Sequence, residues 1–185
     1  MVEVKFDVNK VLQDRLASSM GLDKYKKIVE IVNTVDVSEN ADFQRLFNGF
    51  YLVRRNAEWR EIFYDLFEAV KGKNPTFAEI ITHLYKKTGN IEASFSSKML
   101  ATICHDKPIW DRYVVQNLQL KLEGDTKEEK LANAIKLYSD IEEWYEEFLQ
   151  TEQAKECIAG FDAALPEYAW LSDIKKVDSI LWSIL

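Results

Sequence analysis

The chain is 185 residues long, 47% hydrophobic and 12% aromatic, with only 6 Gly and 3 Pro; that composition builds one packed core and excludes a disordered or low-complexity chain. Its net charge of −7 excludes a general nucleic-acid binder with a uniformly basic surface. No apolar run approaches the ~18 residues a membrane helix requires, and the opening MVEVKFDVNK lacks the apolar stretch of a secretion signal, so no membrane is expected among its partners.

Taken in order, Val2, Val4, Phe6 and Val8 alternate as a short extended arm over residues 1–8. A helix over Lys10–Met20 is expected to stop at Gly21, and a second covers Leu22–Asn33. Residues 38–40 offer caps for a helix through Phe43, Leu46 and Phe47. Trp59, Ile62, Phe63, Leu66, Phe67 and Val70 form the strongest apolar stripe of the chain. Thr76-x-x-Glu79 is a capping box, and the helix it opens buries Phe77, Ile80, Ile81 and Leu84 and ends in Lys86 and Lys87, which suit its dipole. With Gly89-Asn90 as a turn, residues 76–104 read as a helical hairpin. A second box, Thr126-x-x-Glu129, opens a long helix to about Thr151 with Leu131, Ile135, Tyr138, Ile141, Tyr145 and Phe148 on its buried face. Glu142, Glu143, Glu146 and Glu147 mark its solvated side. A helix over Glu152–Ala164 and a C-terminal helix with Ile174, Val177, Ile180 (or Leu181) and Ile184 on one face complete an all-α, single-domain reading.

Cys104 and Cys157 are isolated thiols, expected to be reduced core residues of a cytoplasmic protein, with a disulfide as the alternative. Two His and two Cys, scattered, give no metal-ligand spacing, and no cofactor is expected. Residues 51–121 hold 11 Lys/Arg against 8 Asp/Glu, a local +3, while the remainder carries −10. That modestly basic middle is compatible with a phosphate-facing patch and also with chance in a short window.

The stretch SFSSKMLATICHDKPIWDRYV carries the candidate chemistry. Phe95, Met99 and Ile103 share one face of a helix that holds Lys98 near its start, and Pro108 ends that helix. Trp110, Val114 and Leu118 begin the next stripe, with Asp111 at its N-terminal end, where the helix dipole favours an ionised carboxylate. The ordinary alternatives are a solvated lysine and an aspartate that only caps.

These motifs resemble the helix-hairpin-helix DNA glycosylases, especially the 8-oxoguanine glycosylase branch and its uncharacterised bacterial relatives. That pattern is a helix, a hairpin of form G-hydrophobic-G-x-K opening the next helix, then a proline turn ending in aspartate. SFSSK stands at the hairpin with Lys98 at the lysine position, KPIWDRYV at the proline turn with Asp111 at the aspartate position, and IKKVDSILW resembles the family's ending. The resemblance implies that Lys98 attacks the sugar C1′ of an extruded oxidised purine in damaged double-stranded DNA. Asp111 then stabilises the cationic sugar and assists proton movement. Phe95, Trp110 and Tyr113 become candidates for the wall of the base pocket, and Ser94 and Ser96, in place of the two glycines, for donors to a phosphate. Arg54, Arg55, Lys86 and Lys87 are the charges first expected to meet nucleic acid. Two other readings stand beside this one: a degenerate member that binds nucleic acid or protein without chemistry, and a helical interaction module unrelated to DNA.

Overall fold

Side-chain caps set most of the helix starts. Asn40, Asn56, Thr76, Thr126 and Thr151 each accept a hydrogen bond from the backbone N–H three residues on, at 2.8 to 3.2 Å; each such cap contributes about 1 kcal/mol. Both boxes read from the sequence form, with Glu79 and Glu129 returning the bond to the capping backbone. In the computed structural model, which describes residue 10 and residues 21–183 apart from the side chains of Tyr113, Trp182 and Ser183, nine α-helices follow one another. They are α1 Leu22–Ile31, α2 Ala41–Tyr51, α3 Ala57–Val70, α4 Phe77–Thr88, α5 Ala93–Ile103, α6 Arg112–Asn117, α7 Lys127–Phe148, α8 Glu152–Ala164 and α9 Asp173–Ser183. The described residues include no strand, so the fold is all-α. The expected arm over 1–8, the helix over Lys10–Met20 (Lys10 apart) and Ile184 lie outside the described residues.

The helices pack through aromatic side chains. Phe43 and Phe47 of α2 meet Phe63, Tyr64 and Phe67 of α3, with Phe47 edge-on to Phe67 at 5.6 Å and to Tyr64 at 6.0 Å. Tyr64 is a correction to the expected stripe: it is buried, its hydroxyl donating to Asn48 Oδ1 at 2.8 Å, whereas Ile62 and Val70 are only half-buried. Helix α4 packs against α3, α5 and α7, and its Phe77 stacks on Tyr138 of α7 at 3.9 Å and 12°. On α7 the buried residues are Ala134, Tyr138, Ile141, Trp144, Tyr145 and Phe148, with Leu131 and Ile135 half-buried at the margin.

The helical hairpin over 76–104 is present as α4 and α5, but SFSSK is not its turn. Gly89, in the left-handed region at φ 69°, ends α4, and residues 89–92 make the connection. Ser94, Phe95 and Ser96 already lie in the first turns of α5, and Lys98 is its sixth residue. Helix α9 packs against α6 and α8. Its buried face is wider than the predicted stripe, because Lys175, Lys176, Asp178 and Ser179 are buried alongside Val177, Ile180 and Leu181. Both cysteines are free, Cys157 buried and Cys104 half-buried. Among the described residues no helix is long and apolar enough to cross a membrane.

Candidate active site

The segment between α5 and α6 is tied down at three points. Tyr138 donates to the Pro108 carbonyl at 2.8 Å, Ser172 to the His105 carbonyl at 2.6 Å, and the Trp110 N–H donates to Ser97 Oγ at 2.9 Å. Ser97 Oγ in turn donates to the Ser94 carbonyl at 2.9 Å, so one hydroxyl links the start of α5 to the residue before Asp111. Held this way, the segment returns Asp111 to the cavity that Lys98, 13 residues earlier in the chain, also lines. Asp111 Oδ1 also accepts the Val114 N–H at 3.0 Å, so the carboxylate caps α6 as well.

Lys98 and Asp111 line one cavity of about 140 Å3, together with Leu22, Tyr51, Lys175 and Asp178. The Lys98 ammonium lies 5.3 Å from the Phe95 ring and 5.8 Å from that of Tyr51, and donates at 3.4 Å to the Tyr51 carbonyl. Burial pushes it below the ordinary lysine value; Asp111 and Asp178 pull it back up, and Lys175 adds to the lowering. A lysine so placed sheds its proton more readily than one in water, which is what an amine nucleophile requires. Asp111 supplies a carboxylate in the same space, able to take a proton or to face developing positive charge.

The sequence reading missed Lys175 and Asp178. Lys175 is an ion pair with Asp178 at 3.0 Å and stands 4.8 Å from the Tyr25 ring, and Tyr145 donates to the other Asp178 oxygen at 3.4 Å. Burial works against the Lys175 ammonium, but Asp178, Tyr25 and Asp111 outweigh it and hold it above its ordinary value. The available signal was a lysine and an aspartate at i, i+3 inside a helix whose other neighbours, Ile174, Val177, Ile180 and Leu181, are apolar.

The other expected site residues divide. Phe95 is half-buried, edge-on to Trp59 at 4.9 Å, with the Arg55 guanidinium 5.4 Å from its ring and Lys98 also close to it. Trp110 is 8% exposed, stacks parallel to Phe77 at 6.3 Å, donates its backbone N–H to Ser97 and is not among the residues lining the cavity. Ser96 is fully buried in α5 and its hydroxyl has no hydrogen-bond partner; Ser94 is half-buried and its carbonyl is engaged by Ser97. The Tyr113 side chain lies outside the described residues.

Arg54, Arg55 and Lys87 line a second hollow of about 370 Å3 with Asn56, Glu58, Trp59 and Asn90, where the start of α3 meets the end of α4. Lys86 is exposed in the same last turn of α4 but is not part of its wall. Arg55 is already engaged: it pairs at 2.6 Å with Glu92, which is 3% exposed and also accepts the Trp59 indole N–H at 3.0 Å. Residues 51–56 connect the two hollows, since Tyr51 and Leu52 border the first and Arg54 to Asn56 the second. Among the described residues no group of three or more His, Cys, Asp or Glu is gathered as a metal ion would require. Comparison with protein-family models, with curated proteins and with solved structures gives no match to this chain.

Proposed function

We propose that the chain is a DNA base-excision glycosylase with lyase activity on an oxidised purine such as 8-oxoguanine, Lys98 being the nucleophile and Asp111 its carboxylate partner. The observation that carries the reading is the shared cavity: an amine partly stripped of water and a carboxylate from the far side of a proline turn both line it. In the reaction the neutral Nζ lone pair forms a bond to C1′ while the C1′–N bond to the base breaks, the base leaving with that electron pair and taking up a proton. Asp111 accepts the proton the attacking nitrogen must lose, and opening of the sugar ring gives an imine between Lys98 and C1′. The target nucleotide is reached only outside the base stack. Arg54 and Lys87, in the second hollow, supply positive charge to the neighbouring phosphates.

The test is borohydride trapping on a duplex containing 8-oxoguanine. A covalent protein–DNA complex is expected from the wild type, none from Lys98→Ala, and a slowed yield from Asp111→Asn. Absence of trapping on every damaged duplex overturns the proposal. One observation favours a second reading, a binding module without chemistry on the same scaffold: about 140 Å3 is below the roughly 300–1,000 Å3 usual for a ligand site. That reading expects salt-sensitive duplex binding weakened by Arg54→Glu and Lys87→Glu, with no strand scission.

A further inference from the structure

We propose that Lys175 is a positioning residue for Lys98: by occupying Asp178 it prevents that buried carboxylate from capturing the Lys98 ammonium and holding it in the protonated, unreactive form. The inference rests on Lys98 being the reacting amine, and its argument is geometric. Both lysines and both aspartates, Asp111 and Asp178, line one cavity, so each cation has two possible partners. Asp178 is committed on both oxygens, Oδ2 to Lys175 at 3.0 Å and Oδ1 to the Tyr145 hydroxyl at 3.4 Å. Lys175 is held in place from the other side by the rings of Tyr25 at 4.8 Å and Phe50 at 5.9 Å.

Lys98 has no such carboxylate contact within ion-pair distance among the described residues. It rests against the rings of Tyr51 and Phe95 and the Tyr51 carbonyl. The charged and titratable groups facing it are Tyr51 from α2, Asp111 from the turn before α6, and Lys175 and Asp178 from α9. Tyr25 from α1 and Tyr145 from α7 act at one remove, through Lys175 and Asp178. Of the two α9 groups, Asp178 pulls the Lys98 proton affinity up and Lys175 pushes it down. Removing Lys175 would leave Asp178 a buried carboxylate with an uncompensated charge, and the cation that remains in the lining of this cavity is Lys98.

The experiment reads the protonation of Lys98 directly, without DNA. Trace labelling with acetic anhydride across a pH series, quantified by mass spectrometry on the Lys98 peptide against the exposed Lys86, gives the midpoint at which the amine becomes reactive. Lys175→Met is expected to move that midpoint up, because a cation is lost and Asp178 is set free. Asp178→Asn is expected to move it down, and the double variant Lys175→Met/Asp178→Asn to bring it to or below the wild-type value. A residue that only supported the fold would not produce shifts of opposite sign, nor a reversal when its partner is removed. A midpoint unmoved or lowered in Lys175→Met, or raised above wild type in the double variant, overturns the proposal. Should Lys175→Met fail to fold, Asp178→Asn and the double variant, which leaves no unpaired carboxylate, decide it. Shifts as expected without borohydride trapping sink the glycosylase reading alone; trapping with an indifferent midpoint sinks the role of Lys175 alone.

Discussion

Ser96 and Ser97 are adjacent, both fully buried in α5, and the structure assigns them opposite energetic signs. Ser97 Oγ accepts the Trp110 N–H and donates to the Ser94 carbonyl, both at 2.9 Å, inside the core. Ser97→Ala therefore leaves a buried backbone N–H without a partner, at a cost of about 1–3 kcal/mol. At about 2 kcal/mol, a chain of this size loses roughly 4–8 °C in Tm. The Ser96 hydroxyl has no partner to lose. Ser96→Ala removes a desolvated polar atom and nearly keeps the shape, so it is expected to be neutral or to stabilise by up to about 1 kcal/mol. Urea unfolding followed by tryptophan fluorescence measures both, with equal m-values as the check that the unfolded states match. Because Ser97 also fixes the turn that delivers Asp111, Ser97→Ala should slow borohydride trapping beyond its effect on stability, and Ser96→Ala should not. Equal stabilities for the two variants, or a larger loss in Ser96→Ala, would refute the reasoning.

Three further outcomes follow from burial and backbone geometry. Glu92→Ala strips Trp59 and Arg55 of a buried acceptor; with Arg55 able to turn to water, a loss of about 2–3 kcal/mol is expected in urea unfolding. Leu52 is 61% exposed and sits at φ 55°, a left-handed conformation that costs side-chain-bearing residues energy. Leu52→Gly should raise stability by about 0.5–1 kcal/mol in the same assay, and a loss of that size would contradict it. For Lys98, burial disfavours the protonated form, so the folded chain binds fewer protons there than the unfolded chain. Stability contributed at this position therefore rises with pH between the lowered folded pKa and the ordinary value of 10.5. Lys98→Met should lack that rise, so the stability difference between wild type and variant grows with pH across the same range.

The helices were legible because their signals are local. Thr76 and Glu79, like Thr126 and Glu129, sit three apart, and the capping box needs nothing beyond them. Stripes such as Phe63 and Phe67 repeat at the helical period whatever they pack against. What stayed hidden depends on partners far along the chain. Lys175 and Asp178 are buried against partners more than thirty residues away, the Tyr25 ring facing the ammonium and the Tyr145 hydroxyl donating to the carboxylate. Glu92 is buried because Arg55 and Trp59 reach it from α3 and the turn before it. Trp110 resembled a pocket wall by its place beside Asp111, yet Tyr138, Phe77 and Ser97 draw that segment into the core. Lys98 and Asp111 were picked out by residue type and by the proline turn between them; only the packing of α9 gives them charged neighbours.

The claim that Lys98 is the reacting amine is tested most directly by mapping the borohydride-reduced adduct. After digestion of the trapped complex, mass spectrometry of the peptides is expected to place the sugar remnant on Lys98 and nowhere else. An adduct on Lys175, on another lysine or on the α-amino group would contradict the account.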